Sequence, residues 1–175
     1  VIMGEELRSL GINMNLAPSL DVNNNPNNPV IGVRSYGDDP VKVGEYGLNY
    51  IRGLQSTGVI ATSKHFPGHG DTNSDSHKAL PIVPHNKERL NNVELVPFKK
   101  VLNETKAIMS AHIFFEAYES EQVPGTLSKN VITGLLRNEL GYNGLIVSDC
   151  MEMKAIDDTF TTPVDYDPYL SESDM

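Results

Sequence analysis

The sequence is short of cysteine, short of cations and without a long apolar run, and each shortage removes a class of protein. A single cysteine, Cys150, rules out an internal disulfide framework and offers no thiolate cluster for zinc. Lys and Arg number 14 against 23 Asp and Glu, for a net charge of −9. That balance disfavours nucleic acid and anionic membrane surfaces, which require basic patches. No run reaches the length of a transmembrane helix, so no membrane-spanning segment is expected. Neither a glycine-rich dinucleotide fingerprint nor a P-loop is present, and no cofactor is expected. The chain begins at Val1 rather than Met, so the compartment stays open between the cytoplasm and a secreted or cell-wall location.

What is present is enough for one sizeable core: 175 residues, 39% of them apolar. Helix and strand signals alternate. Val1 to Leu10 reads as an amphipathic helix closed by Gly11, and Asn13 to Leu20 as a strand ending near Asp21. After a long Asn/Pro loop, Asp39-Pro40 gives an N-cap with proline at the first helical position, predicting a helix to about Ser56 that stops at Gly58. Val59 to His65 is the next strand. Lys87 to Asn103 reads as a helix that Pro97 should kink or split. Ala107 to Phe114 reads as a third strand, Ser128 to Leu140 as a capped helix, and Gly144 to Ser148 as a fourth strand. Strands separated by helices imply βαβ units and a parallel sheet, compatible with a doubly wound sheet or a (β/α)₈ barrel. From Thr159 the chain turns acidic, gains two prolines and loses helical periodicity, so residues 159–175 read as a surface arm distinct from a domain over 1–158.

Residues able to do chemistry fall just after strand ends, the face where parallel α/β proteins build active sites. The densest stretch is Lys64-His65-Phe66-Pro67-Gly68-His69-Gly70-Asp71-Thr72, followed by Asp75-Ser76-His77. Asp149 ends the apolar strand Leu145-Ile146-Val147-Ser148; it reads equally as a reactive carboxylate or as a helix N-cap. Asp75 two residues before His77 can fix the imidazole tautomer and support proton transfer at the other nitrogen, or the two are ordinary loop residues. Lys64 at a strand end either meets an anion or ligand hydroxyls, or extends to solvent. Arg34 can grip hydroxyls through its planar fork or tie down its loop. His65, His69 and His77 with Asp71 invite a metal site. The intervening proline and glycines break the helix that a His-x₃-His pair needs, so no metal is expected. His69, between two glycines, reads better as a residue that orders the loop.

Together the segments Ala17-Pro18-Ser19-Leu20-Asp21-Val22-Asn23, Asn28 to Gly37, Lys64 to Thr72, Asp75-Ser76-His77 and Gly144 to Asp149 resemble glycoside hydrolase family 3, in its β-N-acetylglucosaminidase branch. The resemblance implies a (β/α)₈ barrel, of which about four strands are expected here. It implies a retaining exo-glycosidase acting on terminal β-linked N-acetylglucosamine, from peptidoglycan fragments, with a small carbohydrate as substrate. By resemblance Asp149 is the nucleophile, His77 with Asp75 the acid/base dyad on a mobile loop, and Arg34, Lys64 and His65 hold the non-reducing sugar. A family 3 β-glucosidase or β-xylosidase is the alternative within the family. A barrel takes about 250 residues, so the chain also reads as an internal piece. Its partner would then be the remainder of the barrel, and alone it would be a non-catalytic sugar-binding or scaffold fragment.

Overall fold

The computed structural model describes residues 1–160. The expected arm from Thr159 therefore lies almost wholly outside the described residues. In chain order the elements are α1 (Ile2–Ser9), β1 (Met14–Asn15), α2 (Pro40–Gln55), β2 (Ile60–Phe66), β3 (Ile82–Val83), α3 (Lys87–Asn92), α4 (Leu95–Val101), β4 (Ala107–Ser110) and β5 (Phe114–Phe115). A π-helix (Asn130–Glu139), β6 (Leu145–Ser148) and α5 (Lys154–Phe160) follow.

The main sheet has the order β1-β2-β4-β6, all parallel, with Met14 opposite Ile60, Thr62 opposite Ala107 and Ala107 opposite Leu145. Each strand lies beside the next one of its sheet in chain order. A doubly wound sheet reverses its order at a switch point; this one does not. Sequential parallel strands with helical crossovers make a partial (β/α)₈ barrel of four strands. Because the strands are parallel, Asp21, His65, His112 and Asp149 all come off the same end.

Local chemistry explains the helix between β1 and β2. The Asp39 carboxylate accepts from the Val41 and Lys42 amides at 2.9 and 3.2 Å, Pro40 occupies the first turn, and Gly58 supplies the positive φ (84°) that reverses the chain into β2. On the helix face toward α4, Gly44 has no room for a side chain: a Cβ there would lie 3.1 Å from the Lys100 Cβ and 3.2 Å from the Pro97 Cα. The two helices thus pack backbone against backbone over β2. Ile51 and Leu54 of α2, Phe98 and Val101 of α4, Phe66 of β2 and Ile108 of β4 are buried in one cluster. Their removal from water is the main favourable term, about 1.5–3 kcal/mol for each large side chain.

Four expectations are corrected. The strand foreseen over Asn13 to Leu20 shrinks to Met14–Asn15 plus a bridge between Ser19 and Lys64, because Pro18 has no N–H for a ladder. The helix from Lys87 does split, but at Val93–Glu94; Pro97 sits in the first turn of α4, where a missing N–H leaves no bond unmade. The strand foreseen over Ala107 to Phe114 stops at Ser110, and Phe114–Phe115 instead pairs in parallel with Ile82–Val83 as a second small sheet. The helix after Ser128 is wound wider than an α-helix, with the Leu140 amide donating to the Leu135 carbonyl at 2.9 Å, although Ser128 caps it as foreseen by accepting from the Val131 amide.

Candidate active site

The chain after β1 carries Asp21, which is fully buried. Its carboxylate accepts from the Ser19 hydroxyl (2.7 Å), the His69 amide (2.7 Å), the His65 amide (3.3 Å) and His65 Nδ1–H (2.7 Å). Burial raises its pKa, but the attraction of His65, the hydrogen bonds and His69 outweigh that, and the carboxyl is held well below the usual carboxylate range. The His65 tautomer follows from this network. Nδ1 carries the proton toward Asp21, and Nε2 is left to accept from the Arg34 guanidinium at 3.3 Å and to face the Asp149 carboxylate at 3.8 Å. Arg34 itself ends a single 3₁₀ turn, Gly32–Arg34, in the long loop.

After β2 the chain passes over the site through two glycines. A Cβ on Gly68 would lie 2.9 Å from the Glu94 Cβ, and one on Gly70 would lie 1.7 Å from the Val22 carbonyl oxygen, so the loop presses directly on the β1 loop. His69 is buried between them, its ring bonded to the Thr72 hydroxyl (2.8 Å) and the Ser76 hydroxyl (3.3 Å). It orders the loop, as its place between glycines indicated. Asp71 is bonded to His85.

The loop then brings His77 back to the strand ends. Asp75 Oδ1 accepts from both the His77 amide (2.9 Å) and His77 Nδ1–H (2.8 Å), and Nε2 has no hydrogen-bond partner among the described residues. Burial raises the Asp75 pKa, but the two hydrogen bonds and charge of His77, with Lys78, together bring it below its ordinary value. The His77 side chain is 64% exposed, so this dyad is reachable from solvent.

Asp149 follows β6 directly. Its Oδ1 accepts from the Cys150 amide at 2.8 Å, and α5 begins only at Lys154, so Asp149 is not that helix's N-cap. His112, buried, holds the backbone beside it: Nε2–H donates to the Cys150 carbonyl at 2.9 Å. Burial pushes the His112 pKa down, against the opposing Cys150 carbonyl and Asp149 charge. Lys64 is likewise lowered, by burial and the Arg34 charge, and partly restored by Asp149 and Asp21.

Arg34, Lys64, His65, His77 and Asp149 line one cavity of about 160 Å³. It is smaller than the roughly 300–1,000 Å³ of sites for drug-sized ligands, and suits a single ring better than an extended polymer. Asp75 stands behind His77. Asp21 and His112 stand at strand ends without a task legible in the sequence; the structure shows Asp21 orienting His65 and His112 anchoring the chain at Asp149.

These buried groups set an acid limit. The pKa of Asp21 is depressed in the folded state, so its stabilising contribution is complete above the unfolded value near 3.9 and is lost as pH falls below it. His69 and His112 are also depressed, so they must gain protons on unfolding below about pH 6.5. The thermal midpoint should therefore fall from pH 7 to pH 5 and more steeply below pH 4. Asp21→Asn should cost about 3–5 kcal/mol at pH 7 in urea denaturation and flatten the steep limb. A wild-type midpoint constant from pH 7 to pH 3 would contradict this.

Comparison with known proteins finds that residues 1–167 match the model of the glycosyl hydrolase family 3 N-terminal domain. Over 175 aligned residues the chain is 45% identical to a protein of Pseudoalteromonas piscicida named beta-hexosaminidase A, covering 93% of this chain and 29% of that protein. It is 33% identical over 152 residues to a beta-hexosaminidase of Pseudomonas aeruginosa (strain LESB58), covering 87% of this chain and 45% of the relative. A solved structure of a family 3 beta-N-acetylglucosaminidase from Paenibacillus sp. str. FPU-7 superposes with a TM-score of 0.89 at 59% identity, over 91% of this chain and 30% of that one. The chain thus spans under half the length of these relatives.

Proposed function

The chain belongs to glycosyl hydrolase family 3, and from that premise we propose that it carries the catalytic face of a retaining exo-β-N-acetylglucosaminidase acting on peptidoglycan fragments. The observation that carries the reading is the single cavity shared by Asp149 and His77, with Arg34, Lys64 and His65 on its wall.

In the first step the Asp149 carboxylate attacks the anomeric carbon while the bond to the leaving oxygen breaks. His77 Nε2 gives its proton to that oxygen, and a glycosyl ester forms on Asp149. In the second step water attacks the same carbon, its proton passes to His77 Nε2, and the ester bond to Asp149 breaks. Two displacements return the original anomeric configuration. Asp75, bonded to Nδ1–H, keeps Nε2 as the reacting nitrogen and stabilises the imidazolium. Lys64 and Arg34 offer donors for sugar hydroxyls on the other side, and His65 Nε2 offers an acceptor. A histidine is neutral once it has given up its proton. It therefore repels the acidic leaving sugar of a peptidoglycan fragment less than a carboxylate would.

The test is turnover of nitrophenyl N-acetyl-β-glucosaminide against nitrophenyl β-glucoside, together with binding of both by calorimetry. Preference for the N-acetyl substrate by about tenfold or more in kcat/KM is expected. Preference for the glucoside would move the chain to a glucosidase reading, and binding without turnover of either would make it a sugar-binding piece.

A further inference from the structure

The segment between β2 and α3 carries the Asp75–His77 dyad, and its two ends meet through side chains. His85 Nε2–H donates to Asp71 Oδ2 at 2.5 Å, joining positions 14 apart in sequence. Arg89 on α3 reaches the same Asp71 oxygen at 3.5 Å and Glu94 Oε1 at 3.2 Å. Glu94, buried, also accepts from the Asn24 side chain at 3.1 Å. Asp71, His85 and Glu94 bring ligand-type atoms within 4.8 Å of one another, but the Arg89 guanidinium already stands against both carboxylates as their cation. Neither Asp71 nor His85 lines the cavity that holds His77, and no step of the proposed reaction uses them. Beyond this base, the dyad is steadied by the Ala155 amide donating to the Ser76 carbonyl at 3.1 Å and by the Ser76 hydroxyl on His69.

We propose that the Asp71–His85 pair is a clasp that closes the base of this segment and fixes where His77 presents Nε2. Tying the two ends together removes the loop conformations in which the dyad swings away from Asp149. Asp71 and His85 are thus positioning residues for the proton transfer. That consequence rests on the acid/base role proposed for His77; the ordering of the segment does not.

The test is amide hydrogen exchange of the chain, comparing the wild type with His85→Ala, Asp71→Ala and His85→Gln. Exchange at residues 73–79 should quicken about tenfold or more in His85→Ala and Asp71→Ala, with β2 and β4 unchanged. His85→Gln keeps a donor for Asp71 and should restore most of the protection. In His85→Ala and Asp71→Ala, turnover of a poor-leaving-group N-acetylglucosaminide should fall about tenfold with KM nearly constant. Nitrophenyl substrate should fall less than threefold and azide should recover part of the loss. Unchanged exchange at 73–79 in His85→Ala would overturn the clasp whatever turnover does, as would faster exchange throughout the chain in all three variants. Faster local exchange with both substrates slowed alike would overturn the positioning role. If His77→Ala shows no leaving-group dependence, the functional reading fails, while the exchange measurement still decides the clasp.

Discussion

Asp149→Asn will lower turnover of nitrophenyl N-acetylglucosaminide by about a thousandfold or more while leaving the fold intact. The two halves of that expectation come from different parts of the structure. The fold is spared because the Asp149 side chain is 28% exposed and its hydrogen bond comes from the Cys150 amide, which an asparagine oxygen still accepts. Such a change should stay within about 0.5 kcal/mol of the wild type in denaturant. Turnover should be lost because the amide has no charge with which to attack the anomeric carbon, and among the described residues Asp149 is the only carboxylate lining the cavity. Asp21 is the other carboxylate near His65, and it is fully buried with its oxygens engaged by Ser19, His65 and His69. Substrate should still bind, so kcat should fall far more than KM rises. Loss of binding in step with turnover would mean that Asp149 holds substrate rather than attacking it.

His77→Ala is expected to act selectively. The ring is largely exposed and among the described residues is bonded only to Asp75, so its removal should leave the fold almost untouched. General acid–base groups contribute about 10²–10⁴ in rate. That loss should fall on sugars with poor leaving groups, which need a proton on the departing oxygen. Nitrophenolate departs without one, so the activated substrate should suffer in the second step instead. Azide, an anion that attacks without a base, should restore it and yield a glycosyl azide. Asp75→Ala should follow the same pattern more weakly, because it orients the ring without passing a proton. Equal slowing of both substrate classes with no effect of azide would remove His77 from the mechanism. A metal-dependent reaction would instead show loss in chelator for both classes alike.

What was legible in the sequence was local. The cap at Asp39-Pro40, the strand running into Lys64 and the carboxylate at the end of β6 each depend on neighbours along the chain, and each is where the residues indicate. Convergence at one end followed from strand-helix alternation alone, since parallel strands leave their ends together. What was illegible depends on distant partners. His85 follows a proline in an unremarkable loop, and its meaning comes from Asp71 across the segment. The pairing of Ile82–Val83 with Phe114–Phe115 involves strands too short to show a period. Asp149 could be separated from a helix cap only by seeing that the next helix starts at Lys154. The π-type winding of Asn130–Glu139 has no signal in its residues that distinguishes it from an α-helix.

The central claim is that Asp149 forms a covalent bond to the sugar, and the most direct measurement is trapping. A fluorinated N-acetylglucosaminide with an activated leaving group slows both steps but lets the first proceed, so the glycosyl ester accumulates. Intact mass should rise by one sugar residue, and peptide mapping should place it on Asp149, in the wild type and not in Asp149→Asn. The label should also build up in His77→Ala, where the second step has lost its base. A label on any other carboxylate, or Asp149→Asn labelled as fast as the wild type, would contradict the account.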